Sequence, residues 1–235
     1  MDQQTDPIDA RLAAGITRQR ALLQEANTVG STVVGWKAGL GAPTMRTSLG
    51  LSALLVGFLF DASRARSGAS VDVGPWTAAR AEAEIAVRIG ADVRGGASAD
   101  ELLAAVAALA PAIELVDLSP PPQDPSEVLA GNIYHRAWLT GPFVALDGPL
   151  TLDGRTMTVA FPDGDPVQVE ALESLTGAAG DVLAEVARMA DRIGRGLRAG
   201  DIVMLGSVVP PHLVAPGDAF EVMLDDEATV AVSLR

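Results

Sequence analysis

At 235 residues, with 49% hydrophobic and only 4% aromatic residues, the chain is long enough for one large domain with a core built mainly from Ala, Val, Leu and Ile. A net charge of −13 without any basic block argues against nucleic acid and against an anionic membrane surface as partners. There is no cysteine, which excludes disulfides, thiolate metal sites and thiol nucleophiles. Residues 1–6 are acidic and polar, unlike a signal peptide, and no run of about 18 apolar residues follows, so a soluble cytoplasmic protein is expected.

In chain order, residues 7–27 read as a helix, with Pro7 in the first turn and Ile8, Leu12, Ile16 and Leu22 or Leu23 near helical spacing. Residues 33–40 alternate as a strand, with Val34, Trp36, Ala38 and Leu40 on a bulky face and Val33, Gly35, Lys37 and Gly39 on the other. Lys37 is the only lysine, beside sixteen arginines. A desolvated lysine can lose its proton and act as acid or base, whereas arginine stays charged. The alternative is a strand-end lysine snorkelling to water. Its flanking glycines leave room for a ligand. A short helical turn is expected after Pro43, an apolar run over 51–60 precedes Asp61, and residues 62–79 read as a loop.

Residues 81–90 alternate strictly, with Ala83, Ile85, Val87 and Ile89 on one face and Glu82 and Glu84 on the other. Ser98 and Glu101 form a capping box, predicting a helix through Ala110 that Pro111 closes. A short apolar strand then carries Glu114 between Ile113 and Leu115, where a carboxylate does not meet free water. Prolines 120, 121 and 122 make a stiff loop before residues 131–136, which hold the only tyrosine, Tyr134, and one of two histidines, His135. Strands and hairpins are expected over 141–170 around Asp147-Gly148, Asp153-Gly154 and Asp163-Gly164. Val182, Val186, Met189 and Ile193 predict a helix over 181–197 stopped by Gly200, and residues 202–205, 219–224 and 229–234 read as strands.

Two residues apart on a strand, Glu82 and Glu84 share one side of a sheet about 6–7 Å apart at the backbone. Carboxylates so close repel, so a bound cation, an arginine or shared protons belongs between them. Glu114 is the natural third member. Three carboxylates in a chain with no Cys and two His favour a hard ion, Mg²⁺ or Mn²⁺, over zinc. The competing reading is a half-exposed edge strand whose glutamates pair with Arg80 or Arg88.

Lys37 between two glycines, then Glu82-Ala-Glu84, then Ile113-Glu-Leu-Val-Asp117, in that order, resemble the fumarylacetoacetate hydrolase superfamily, most of all its branch of 2-oxopent-4-enoate hydratases and 4-oxalocrotonate decarboxylases. Gly57-Phe-Leu-Phe-Asp61, Gly206-Ser-Val-Val-Pro-Pro211 and Ala215-Pro-Gly-Asp218 support the resemblance, which spans residues 30–235. It implies an α+β fold, a mixed β-roll of the fumarylacetoacetate hydrolase C-terminal type over residues 31–235, behind a short helical cap at residues 1–30. It also implies a divalent ion held by Glu82, Glu84 and Glu114. The implied substrate is a small 2-oxo or 2-hydroxydienoic acid chelating that ion through its carboxylate and 2-oxygen. Lys37 would bind the substrate carboxylate or shuttle the proton, with Asp61 assisting as acid or base; Asp61 also reads as a turn residue.

Where the branch shows Asp-Asn-Ala-Ser-Ser, this chain has Gly131-Asn-Ile-Tyr-His135, so Asn132 carries over and the serines do not. His135 and Tyr134 are candidates to contact a longer or aromatic acid, and His135 equally reads as a structural hydrogen-bonding group. Ser207 is a candidate ligand contact or part of a Gly-Ser turn, and His212 reads as structural. The implied activity is metal-dependent addition of water to a 2-oxoalkenoate by a homo-oligomer. Decarboxylation within the same branch, and a non-catalytic 2-oxo-acid-binding or partner subunit, are the alternatives.

Overall fold

The computed structural model describes residues 7–121 and 123–235. Residues 1–6 and Pro122 lie outside it, as do the side chains of residues 7–10, Ile8 among them. Helix α1 (Pro7–Thr28) leads into β1 (Val33–Gly39), the short α2 (Pro43–Ser48), β2 (Leu55–Phe60), a 3₁₀ turn (Asp61–Ser63), β3 (Ala69–Val71) and β4 (Ala79–Ile89). Next come α3 (Ala99–Ala104), β5 (Val106–Asp117), α4 (Pro125–Ala130), β6 (His135–Thr140), β7 (Val144–Ala145), β8 (Met157–Ala160) and β9 (Val167–Val169). The chain closes with α5 (Ala179–Ile193), β10 (Ile202–Ser207), β11 (His212–Leu213), β12 (Ala219–Leu224) and β13 (Ala228–Leu234).

These strands form two mixed sheets. The larger runs β2-β1-β10-β4-β5-β6, with β11 on β4 and β7 on β5, and the smaller runs β3-β13-β12-β8-β9. The β1/β10 and β13/β3 pairs are parallel and the rest antiparallel. The core lies where one face of the large sheet, carrying Trp36, Ile85, Val87, Leu109 and Ile113, meets Val222, Val230 and Val232 of the small sheet and Val182, Val186 and Met189 of α5. Alternation supplies those residues from strands that keep their other face for different work. A second cluster, Leu12, Leu55, Val128, Leu129 and Ile133 among its members, joins α1, β2 and α4. Gly15 of α1 donates its N–H to Ser126 Oγ at 2.8 Å, and Gln19 donates to Val56 O at 2.8 Å.

Three boundaries depart from the sequence reading. The capping box is real, but α3 stops at Ala104, and the Ala-rich segment that favours helix by propensity pairs with β4 from Val106 onward. Tertiary pairing overrides propensity there. Pro111 sits inside β5, where its carbonyl accepts from Gly141 N at 2.9 Å. Its missing N–H therefore faces the chain reversal between β6 and β7, and no ladder bond is lost. Helix α5 ends at Gly194, in the left-handed region at φ 90°, six residues before Gly200. The expected loop over 62–79 contains β3, and of the three Asp-Gly pairs only Asp163-Gly164 turns a hairpin, between β8 and β9.

Candidate active site

Strands β4 and β5 place Glu82 directly opposite Glu114. Their odd-numbered neighbours fill the core, so Glu82, Glu84 and Glu114 share the other face, and one carboxylate oxygen from each lies within 4.8 Å of the others. Strand β10 reaches β4 with one extra residue between Met204 and Ser207. That bulge turns Gly206, at φ 96°, so that its N–H meets Glu84 Oε2 at 2.8 Å. A side chain at Gly206 would strike Thr176 Cγ2 at 2.7 Å.

Lys37 arrives from β1, between Met204 of β10 and Gly57 of β2. Its Nζ lies 2.6 Å from Glu114 Oε1 and donates to Ile133 O at 3.0 Å. At 2% exposure it does not snorkel. Gly57 makes room for it: a Cβ there would stand 2.8 Å from Asn132 Oδ1 and 3.2 Å from Lys37 Cε. Gly35 and Gly39 do not leave space for a ligand. The Ile202 backbone abuts the first and the Ile133 side chain the second.

His135 reaches the cluster through a second bulge. Glu114 faces Trp138 across β5 and β6, yet Val116 faces His135, so one residue is skipped and His135 joins the acid face. Its Nδ1 lies 2.6 Å from Glu114 Oε1 and its Nε2 2.8 Å from Ser63 Oγ. The competing edge-strand reading fails, because Arg80 donates to Ala79 O and Arg88 lies over the Phe143 ring, 4.0 Å from its centroid. The rest of the acid face is apolar, with Leu59, Ala86, Ala112, Trp138, Ile202 and Met204 clustered on it.

Such surroundings set the charges. Burial, then repulsion from Glu114, pushes Glu82 up to about 7 against the pull of Lys37. Glu84 is likewise raised well above its ordinary value, by burial first and then by both neighbouring carboxylates. Burial would raise Glu114 as well, but Lys37 and His135 outweigh it and hold that carboxyl below its ordinary value. Glu84 Oε1 and Glu114 Oε2 are buried with no hydrogen-bond partner. With the three glutamates ionised and Lys37 protonated, three negative charges and one positive leave a deficit of two. An all-oxygen donor set with orphaned lone pairs and that deficit fits a hard divalent cation.

A cavity of about 150 Å³ opens over Glu82 and Ser207. It is smaller than the roughly 300–1,000 Å³ clefts that take drug-sized ligands, so it suits a compact molecule. Its walls are mostly apolar, including Leu40, Met45, Leu118, Leu175 and Pro211, and no arginine or lysine is among its described lining residues. Ser207 donates to the Val209 carbonyl at 2.6 Å, so its hydroxyl oxygen remains able to accept.

The structure brings together Lys37, Glu82, Glu84, Glu114 and His135, with Ser207 at the cavity. Asp61 is not among them. It lines a separate concavity with Arg64 and Arg88, and its exposed carboxylate accepts from Thr32 N, Ser31 Oγ, Thr32 Oγ1 and Ala62 N. Those bonds, the Thr32 amide first, hold it down at about 2. Asn132 spends its amide on β2, accepting from Phe58 N at 2.7 Å and donating to Phe58 O at 3.0 Å. Tyr134 lines a different concavity with Pro120 and Arg136. His212 stacks on Phe161 with centroids 4.7 Å apart and approaches Asp163, consistent with its structural reading. Sequence reasoning missed Ser63 and the Ile133 carbonyl. Neither carries a motif, and only the turn after Asp61 hints at Ser63.

Known proteins resemble this chain in sequence and in fold. A 4-oxalocrotonate decarboxylase from a Pseudomonas species is 27% identical, over 90% of this chain and 82% of its own length. A 2-keto-4-pentenoate hydratase from Burkholderia vietnamiensis is 30% identical, over 94% of this chain and 85% of its own. The solved 4-oxalocrotonate decarboxylase from Pseudomonas putida G7, complexed with calcium and acetate, shares the fold, with TM-score 0.84 at 24% identity over 95% of this chain and 86% of that one. The same enzyme has been solved with magnesium and adipate, matching with TM-score 0.81 at 22% identity over 99% of this chain and 100% of that one. Residues 48–234 match the fumarylacetoacetate (FAA) hydrolase C-terminal family, and the chain belongs to it.

Proposed function

We propose that this protein is a divalent-metal-dependent hydro-lyase that adds water to a 2-oxoalkenoate or 2-hydroxydienoate of the kind formed in meta-cleavage degradation of aromatic compounds. The observation that carries the reading is the trio of clustered carboxylates, Glu84 and Glu114 buried and Glu82 half-buried, two with orphaned oxygens, beneath a cavity whose described lining holds no cationic side chain. Glu82, Glu84 and Glu114 would hold the ion, Mg²⁺ or Mn²⁺. When bound, that ion supplies Lewis acidity at the substrate's carboxylate and 2-oxygen.

The chain's own residues do the rest. Lys37 spends two hydrogens on Glu114 and Ile133 O, and the third binds the substrate carboxylate or is itself the proton that Lys37 shuttles. In the reaction the 2-hydroxyl proton returns at the far end of the diene, which leaves an alkene conjugated with the new carbonyl. Water then adds to that alkene. Ser207 accepts a hydrogen bond from the ligand at the cavity wall. Asn132 clamps β2 so that Gly57 stays against Lys37, and Asp61 steadies the turn that carries Ser63. The apolar walls exclude water from all but the reacting end.

Decarboxylation of a 2-oxo-enedioate is the second reading, favoured by the similarity to 4-oxalocrotonate decarboxylase. The cavity favours hydration: a distal carboxylate would find no cation among the lining residues and would be left desolvated and unpaired. The reading further takes residues 1–30 as a cap and 31–235 as the catalytic unit of a cytoplasmic homo-oligomer, which light scattering on the purified protein tests. Among the described residues no helix is long and apolar enough to cross a membrane.

Incubation with 2-hydroxypenta-2,4-dienoate and, separately, 2-oxohex-3-enedioate, each with and without Mg²⁺, tests the assignment. Loss of the dienoate chromophore only with metal, abolished by EDTA, is expected. CO₂ release from the enedioate alone would move the assignment to a decarboxylase, and inertness toward both would refute it.

A further inference from the structure

We propose that His135 is a positioning residue that fixes which oxygen of Glu114 is presented to the metal, an inference that rests on reading Glu82, Glu84 and Glu114 as a metal site. The terminal torsion of a glutamate is broad and two-fold, so a carboxylate held by one donor can offer either oxygen. Here two donors converge on the same atom: Lys37 Nζ and His135 Nδ1 each lie 2.6 Å from Oε1. Oε2 is left buried and unpartnered, in a carboxylate that has an oxygen within 4.8 Å of oxygens of Glu82 and Glu84. A carboxylate only accepts, so Nδ1 carries the hydrogen.

The far ring nitrogen is anchored too. Ser63 Oγ stands 2.8 Å from Nε2 and donates to Phe60 O at 3.0 Å, the same carbonyl that accepts from Trp138 Nε1 at 2.8 Å. The backbone around His135 is over-determined as well. Asn132, Ile133 and Tyr134 all lie at positive φ, 54°, 54° and 61°, and the bulge that follows delivers the ring to Glu114. A strained run of this kind persists only when its surroundings hold it.

Mn²⁺ binding to the purified full-length protein, counted by the electron paramagnetic resonance of the free ion, tests the role without any assay of turnover. His135→Phe should bind about 10–100-fold more weakly than the unaltered protein, the usual cost of losing a partner that orients a ligand. His135→Asn, whose amide N–H can stand where Nδ1–H stands, should recover most of that loss. A ring that merely fills space predicts the reverse order, since Phe keeps the volume and Asn does not. Equal affinity in His135→Phe, or Asn weaker than Phe, overturns the proposal while leaving the metal site intact. No Mn²⁺ binding by the unaltered protein overturns the metal reading and this inference together. Should His135→Phe fail to fold, Ser63→Ala decides: weaker binding supports the role and unchanged affinity refutes it.

Discussion

Glu84 and Glu114 are both wholly buried, on neighbouring strands and facing the same space, yet the fold treats them in opposite ways. Glu114 receives an ammonium and an imidazole on one oxygen, and its carboxyl is held below the ordinary value. Glu84 receives one backbone N–H, and burial with two like charges drives it up. Each nevertheless keeps one oxygen without a partner. The protein has thus neutralised only one side of its acid cluster, and the other side is stable as a carboxylate only when positive charge arrives from outside.

The largest effect should come from exchanging each carboxyl for its amide. Glu114→Gln should lower turnover at least about 100-fold. It should also destabilise the metal-free protein by about 3–5 kcal/mol, because Lys37 is then buried without its counter-charge. Glu84→Gln should equally abolish Mn²⁺ binding but raise the melting temperature of the metal-free protein, since it removes a charge that burial disfavours. Shifts of the same sign in chemical or thermal denaturation would erase the contrast.

Next, Lys37→Arg should be nearly as inactive as Lys37→Ala. A planar, permanently charged fork does not fit the slot beside Gly57 and cannot give up a proton. A smaller effect appears on titration. Glu82 sits near 7 in the fold against an ordinary 4.5, so its contribution to stability is complete below about 4.5 and is lost as pH rises through 7. The melting temperature of metal-free protein should therefore fall across that interval, and added Mg²⁺ should raise it more at pH 8 than at pH 5. A flat profile would mean that Glu82 is not confined as described. Asp61 gives the smallest effect, with the opposite sign. Held at about 2, it stabilises above its ordinary 3.8 and stops doing so as pH falls through 2. Asp61→Asn should lower the melting temperature only slightly at neutral pH, solvent screening this exposed group, and by less still as pH falls toward 2.

The acid cluster was legible because strict alternation in β4 and the apolar setting of Glu114 depend only on the two-residue period of a strand. The single lysine was legible from its rarity. What lay beyond the sequence traces to two bulges. Counting back by twos from Trp138 puts Arg136, not His135, on the acid face, and the extra residue that β6 carries where Leu115 faces Ala137 but Val116 faces His135 reverses this. In the same way, nothing in Gly206-Ser207 announces that an extra residue aims the Gly206 amide at Glu84. The helix expected through Ala110 failed for a related reason: β4 offers a full-length partner, and an alanine-rich segment takes it in preference to its local tendency.

The solitary lysine also makes the molecule a natural reporter. An amine-acylating reagent finds a single side-chain target in the whole chain, and in the folded protein that target is buried and held by Glu114 and Ile133. Adduct formation at position 37, read by mass spectrometry, would time how often the interior opens, and a tightly seated ion should lengthen that clock.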